Sequence, residues 1–316
     1  MNNDFESNLL KRISFILTTK NRAPYLRKAL ENISQLIGPS DELIIIDGNS
    51  TDGTKEIIQN NLQLIDIFVS EPDESQAHAY NKGLLLSRGK YICYLTDDDF
   101  VYHEAVEQAV EIMDNNLDID VLIPGGMKEK NGKEWNVYMP KGSDFGKNVK
   151  SLYTNNWCGI GSFIRTKSIA KAGLSDAFCE ALDYSYIAQC ISRGLNVKFA
   201  RINMYYHRIY EHSGTVARFK AWEEDCLGII NKYCSRTFYF RYRWWVLKRK
   251  YKWVRYFNLI EVPLRIIKVL FQEGPIIFLR KVTRRIFILT QKFSDSQENG
   301  TALNDKPPVV WDGTIN

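Results

Sequence analysis

Short apolar runs alternate with helix-spaced stretches over the first hundred residues. ISFILTT (13–19) is a compact apolar run whose length and β-branched content predict a buried strand. Between residues 24 and 37 the period changes. Leu26, Ala29, Leu30, Ile33, Leu36 and Ile37 recur at helical spacing until Gly38-Pro39 stops them. ELIIID (42–47) predicts a second buried strand, residues 54–62 a short helix, and IDIFVSEP (65–72) a third strand. Residues 77–87 read as a helix again and KYICYLT (90–96) as a fourth strand. Strands and helices alternating at this spacing predict a parallel sheet covered on both faces, so the class is α/β. Ligands of such sheets gather beyond the carboxyl ends of the strands. That rule picks out residues 18–22, 47–54, 71–76 and 97–99 as the lip of one crevice. All four loops are polar, and three carry Asp.

The second half is less regular. A helix is expected over 103–115, leading into DVLIPGG (120–126). Residues 127–150, rich in Lys, Gly and Asn, read as an insertion or hairpin. NNWCGIGSFIRT (155–166) returns to the body, helical spacing resumes over 167–172 and 183–193, and NVKFARINMYY (196–206) reads as a last strand. The expected divisions are a polar tail (1–12), an α/β domain (13–232), a basic aromatic helical region (233–293) and a disordered tail (294–316).

Composition adds compartment and partner. The 316 residues are 45% hydrophobic and 25% charged, an ordinary globular balance. The six cysteines lack C-x-x-C spacing and the opening is polar, which predicts reduced thiols in a cytoplasmic protein and no zinc site. Net charge is +5, but residues 236–292 hold 15 Lys/Arg against only Glu261 and Glu273, so the remainder is acidic. In FYFRYRWWVLKRKYKWVRYF the cations are interleaved with aromatics, and two helical candidates follow Pro263. No apolar run reaches the ~20 residues of a bilayer span. Nucleic acid, a docking partner and a solvated face are weaker readings of this region than an anionic membrane surface. Cations meet headgroups there and rings sit at the interface.

The chemistry centres on YLTDDDF (94–100). Asp97, Asp98 and Asp99 at a buried strand end, opposite Asp47, are costly unless neutralised. A hard divalent cation, Mg²⁺ or Mn²⁺, would resolve the repulsion and would bring a diphosphate with it. The competing reading is that Asp98 and Asp99 cap the helix beginning near His103.

Taken in order, TTKNR (18–22), IIIDGNSTDGT (44–54), EPDESQAHAYNKGLLLSRGKYICYLTDDD (71–99) and ALDYSYIAQCISRG (181–194) resemble the family 2 inverting glycosyltransferases, which have the GT-A nucleotide-sugar fold. The resemblance covers residues 13–215 and implies a mostly parallel sheet and a nucleotide-diphosphate sugar donor, a UDP-sugar first. It assigns Thr18, Asn21 and Arg22 to the loop that lines the nucleotide, Asp47 to the base or ribose, and Asp73, Asn81 and Lys82 to the flank of the donor. Asp97 falls near the ribose and Asp98 at the metal position, with Asp99 in support. Thr96 stands where relatives often carry a further Asp, and Gly48-Asn49 replaces the usual Asp-Gly pair. Asp183 matches the base that takes the acceptor proton; its alternative is an N-cap. His207 and His212 lie where relatives present groups to the diphosphate, and His212 is the candidate metal or phosphate contact. Trp157 and residues 159–162 line the acceptor cleft or belong to the core, while Arg165 reads as a surface charge.

The implied activity is metal-dependent transfer to a glycan or lipid-linked acceptor, in surface polysaccharide synthesis at the inner membrane face. An inactive scaffold of the same fold and a nucleotidyltransferase are the alternatives. The latter would carry glycine in its first loop, which TTKNRAP lacks. A dehydrogenase is excluded by the missing G-x-G-x-x-G.

Overall fold

The computed structural model describes residues 11–137, 145–154, 157–175, 181–210 and 219–250. His212, the helical candidates after Pro263 and the 294–316 tail lie outside these residues. The chain divides into two units between Arg236 and Thr237.

The first unit is built on one nine-stranded sheet in the order β3-β2-β1-β4-β8-β6-β9-β5, with β7 paired to β6. Its elements are β1 (Lys11–Thr19), α1 (Ala23–Leu36), β2 (Glu42–Asp47), α2 (Thr54–Gln59), β3 (Ile67–Ser70), α3 (Gln76–Leu86), β4 (Gly89–Leu95), β5 (Phe100–Val101) and α4 (His103–Asn115). They continue with β6 (Val121–Lys130), β7 (Lys133–Val137), α5 (Lys150–Tyr153), β8 (Phe163–Arg165), α6 (Ile169–Ala172), α7 (Leu182–Ser192), β9 (Val197–Arg208) and α8 (Phe219–Tyr233). The α/β class read from the sequence is the class observed. β1 to β4 pair in parallel, whereas β8 runs antiparallel to both β4 and β6, so the sheet as a whole is mixed.

Burial explains why β1 and β2 lack alternation. Both lie in the sheet interior with helices on each face, so residues of either parity are apolar. Phe15 and Leu17 join Leu26, Leu30 and Ile33 of α1 and Val106 and Met113 of α4 in one core. On the other face α3 approaches β1 so closely that a Cβ on Gly83 would stand 2.5 Å from Ile16 Cγ2. The register places Thr19 beside Asp47 and Leu17 beside Leu95. The carboxyl ends of β1, β2 and β4 therefore finish side by side.

Three local features stand against the sequence reading in different ways. Residues 127–137 do form a hairpin, with Asn131 at φ 53° and Gly132 at φ 77°, the paired positive values of a tight turn. Arg165, read as a surface charge, is 2% exposed. Its guanidinium donates to the carbonyls of Met113 (2.8 Å), Ile119 (3.1 Å) and Asn116 (3.3 Å), satisfying acceptors left open at the end of α4. Helix α8 had no expectation at all, because its apolar face (Trp222, Cys226, Ile229 and Ile230) falls between the last recognised segment and the basic one.

In the second unit the basic aromatic stretch begins as helix α9 (Arg236–Lys250), where Tyr242 and Trp245 pair with ring centroids 5.5 Å apart. No described helix is long and apolar enough to cross a membrane.

Candidate functional site

Two loops at the carboxyl end of the sheet hold each other. Asn21, at φ 55°, donates its N–H to Ser50 Oγ (2.7 Å), and its side-chain oxygen accepts from the Thr51 N–H (2.9 Å). The Arg22 N–H donates to Thr54 Oγ1 (3.0 Å). Asp47 is fully buried beneath them and accepts from Ser50 and from Ser70 Oγ (2.6 Å), so its carboxylate shapes the second loop from below.

The folded backbone thereby aims Arg22 at the acidic strand end. Its Nε donates to Asp97 Oδ1 (3.1 Å), and Nη2 pairs with Asp98 Oδ2 and donates to Tyr210 Oη (2.8 Å). Tyr210 in turn donates to Asp98 Oδ2 (2.8 Å) and stacks on Tyr25, over whose ring the guanidinium sits at 4.2 Å. The positive charge demanded by the three acids is thus partly an internal arginine. Burial, then the neighbouring Asp98, pushes the Asp97 carboxyl up to about 6, against the pull of Arg22 and Thr19. Burial and Asp99 likewise raise Asp98, while Arg22 and Tyr210 oppose the rise.

Asp99 faces a different set. Thr96 Oγ1 donates to its Oδ2 (2.6 Å) and His207 Nδ1 lies 2.7 Å from its Oδ1. Thr96 is therefore the hydroxyl that supports Asp99. Neither Asp98 nor Asp99 caps α4, whose N-cap is Tyr102.

Asp183 sits in the first turn of α7 behind the N-cap Ala181, so the capping alternative does not apply in its plain form. Its carboxylate accepts from the N–H groups of Tyr184 (2.9 Å) and Gly159 (3.2 Å). Burial raises its pKa, opposed by those N–H bonds and by the charge of Lys128. The fit is close: a Cβ on Gly159 would lie 2.5 Å from Asp183 Cβ. Gly159→Ala is expected to displace Asp183 and to cost about 1–3 kcal/mol, the usual penalty of overpacking. Chemical denaturation and turnover measured together check this. Trp157 is 2% exposed, packs its ring tilted at 39° against Tyr184 with centroids 4.5 Å apart and donates to the Leu152 carbonyl (3.0 Å), so it belongs to the core behind Asp183.

The donor-flank residues separate. Lys82 bridges Glu71 and Asp73 at 2.7 Å each beside the end of β3. Asn81 instead exchanges two hydrogen bonds with the Ser175 backbone and ties α3 to the segment ahead of α7. Thr18 lies 3.4 Å from Tyr94 Oη, and Tyr94 is within electrostatic reach of both Asp97 and Asp183. The sequence reading passed over Thr19, Tyr25, Tyr94 and Tyr210. No motif singles them out, and only the pairing of β1 with β4 and the run of β9 bring them in.

The model of the family described as Glycosyl transferase family 2 matches residues 14–172, the span that contains both interlocked loops and the acidic strand end. The chain belongs to glycosyl transferase family 2. An uncharacterised glycosyltransferase of Methanocaldococcus jannaschii is 23% identical over 269 residues, 82% of this chain and 92% of the relative. One of Haemophilus influenzae is 32% identical over 107 residues, 33% of this chain and 43% of the relative. Among solved structures, Staphylococcus aureus TarS 1-349 in complex with UDP-GlcNAc superposes with a TM-score of 0.56 at 17% identity, covering 69% of this chain and 65% of that one. The mannosyltransferase PcManGT from Pyrobaculum calidifontis, in complex with GDP-Man and Mn²⁺, superposes at 0.54 and 18% identity, covering 70% and 63%. The family 2 chain thus has the GT-A fold.

A divalent cation in this family 2 crevice would have to share Asp98 with Arg22. No described group of three or more His, Cys, Asp or Glu side chains forms a ready cage. The hard carboxylate oxygens nevertheless fit a cation that keeps its waters and takes its remaining oxygens from a diphosphate, as Mg²⁺ does. Asp98 is the residue that would hold it, since both oxygens of Asp99 already have partners within the chain.

Proposed function

We propose that this family 2 protein moves a sugar, with inversion, from a nucleoside diphosphate sugar to a hydroxyl of a glycan or lipid-linked acceptor, in surface polysaccharide synthesis. The observation that carries the reading is the acidic strand end, Asp97 to Asp99, met by Arg22 from the facing loop at the carboxyl edge of the parallel strands. Such an edge receives the nucleotide, and Arg22 is a second positive charge for its phosphates. A UDP-sugar is the first donor to test, since TarS 1-349 was solved with UDP-GlcNAc.

In this reading residues 18–22 and 47–54 line the nucleotide, with Asp47 holding the second loop and Asp97 near the ribose. Asp73 and Lys82 flank the donor, and Asn81 positions their helix. Asp98, with Asp99 behind it, would hold Mg²⁺ or Mn²⁺, which when bound supplies positive charge at the leaving diphosphate. Asp183 takes the acceptor proton while the hydroxyl oxygen attacks the anomeric carbon opposite the leaving group. His212 remains a candidate diphosphate contact. The 15 cations of residues 236–292, interleaved with aromatic rings, support attachment to the anionic inner face of the cell membrane.

A thermal-shift series with UDP, GDP, dTDP and CMP, each with Mn²⁺ and with EDTA, tests the reading. A ligand bound only by the folded state stabilises it by about 2.7 kcal/mol at a hundredfold excess over its Kd. The expected result is a shift of several degrees with one nucleotide, lost in EDTA. No shift with any nucleotide moves the weight to an inactive scaffold.

A further inference from the structure

The sheet has an open edge where its last long strand begins. On one side β9 pairs with β6 from Val197 onward, but on the other β5 covers only Tyr205 and Tyr206. Among the described residues no strand runs along the outer edge of residues 198–200. A groove of about 500 Å³ lies there. Gln108, Ile112 and Asn116, a turn apart along α4, form one wall, and residues 198–202 of β9 form the other. Successive strand residues point to opposite faces. The ring of Phe199 packs on Phe145 with centroids 5.9 Å apart, while Ala200 and Ile202 join the core beneath α4. A groove touched by all five therefore follows the edge of the strand rather than either face. Such an edge offers backbone N–H and C=O groups to one further strand.

The lining describes the occupant. Ile119 and Leu122 make the floor apolar, and Lys198 and Arg201 bring positive charge. Asp118, the acid of the lining, accepts from the side-chain amide of Asn196 at 2.8 Å. The segment that fits is extended, apolar and flanked by acid. Beyond Lys250 the chain carries several apolar stretches, but those before residue 293 lie among the 15 cations of residues 236–292, the wrong sign for this rim. VVW (309–311) differs. It is followed by Asp312 and sits in a stretch, 294–316, with Asp295, Glu298, Asp305 and Asp312 against Lys306 alone. Val and Trp are strong strand formers, and they stand out from an otherwise polar tail. These residues lie outside the described ones. Residues 251–308 precede them, ample chain at ~3.3 Å per extended residue to reach this edge.

We propose that residues 309–312 add a strand to the outer edge of β9, with Val309 and Trp311 in the groove beside α4 and Asp312 at its basic rim. The tail is then an edge cover. It occupies a template that would otherwise pair with another chain.

Hydrogen exchange of the full chain tests this, because an added strand protects amides of residues 198–200 that are directed away from β6. Two variants remove the occupant and leave the first unit untouched. Val310→Pro deletes a backbone donor and does not fit inside a sheet, and Trp311→Ala deletes the largest side chain. In wild type those amides should exchange about tenfold more slowly than in either variant, the worth of one or two hydrogen bonds. The amides of β1 and β2 should exchange alike in all three proteins. Equal exchange at residues 198–200 in all three, fast or slow, overturns the proposal. So does a rise spread equally over β1 and β2, which reports global opening rather than an uncovered edge. Protection that fades on dilution assigns the edge to a second copy of the chain and overturns docking within one chain.

Discussion

Asp183→Asn is expected to lower kcat by about 10²–10⁴-fold, the typical contribution of a positioned general base. The substitution is close to isosteric. The amide oxygen can still accept from the Tyr184 N–H, which keeps the start of α7, while the Gly159 N–H, bonded to the other carboxylate oxygen, loses its acceptor. Donor affinity should therefore stay near wild type while turnover collapses. The pH profile supplies a second readout. A base must be ionised, and burial raises the Asp183 pKa from its ordinary value. The wild-type rate should climb as pH rises through that raised value, and the residual rate of the variant should lose this acidic limb. A variant with wild-type kcat would remove Asp183 from the chemistry and leave it as part of the helix start.

Arg22→Met is expected to destabilise the metal-free protein by about 3–5 kcal/mol, the cost of stripping a partly buried charge of its partner. The lower end is the better expectation, since the Arg22 side chain keeps 20% exposure and water can screen part of the loss. Without the guanidinium, Asp97 and Asp98 face each other in a poorly hydrated site. The sign of the pH dependence follows from the Asp97 carboxyl, which stands at about 6 when folded against a model value of 3.8. A raised carboxylate contributes stability below its unfolded pKa and loses it as pH rises through the folded one. Removing Arg22 raises the folded value further. The penalty should therefore be full only above the variant's further-raised value, shrink as pH falls from there toward about 6, and disappear below that, where both proteins carry the proton. Urea denaturation at pH 7.5 and pH 5 checks this, and Mn²⁺ at pH 7.5 should recover part of the loss by replacing the missing charge. Equal stability of wild type and variant at pH 7.5 would show that Arg22 is not the counter-ion of the acidic edge.

Both expectations concern residues visible in the sequence, but visible to different degrees. Asp97, Asp98 and Asp183 stand in motifs whose order points to the family. Arg22 stands in TTKNR, which says that it lines the crevice and not that it spans to Asp97 and Asp98. That contact needs the Thr19–Asp47 and Leu17–Leu95 registers and the left-handed Asn21. In the sequence His207 stands only as a residue near the diphosphate groups of the family. Its partnership with Asp99 appears only once β9 pairs with both β5 and β6 in the sheet. Arg165 went the other way: a cation read as solvated is buried as the cap of α4.

The sequence alone determined the α/β class, the order of β1 to β4 with their helices, the loops that form the crevice and the family. Each of these is written in local periodicity or in a contiguous motif, and burial on both sheet faces enforces that periodicity. The tertiary structure decided what sequence spacing does not encode. It set the antiparallel entry of β8, the packing of α8 against α7 and the arginine between two aspartates. Those features arise where segments from 38 to 188 residues apart meet, and there distance and direction, not residue type, determine the chemistry.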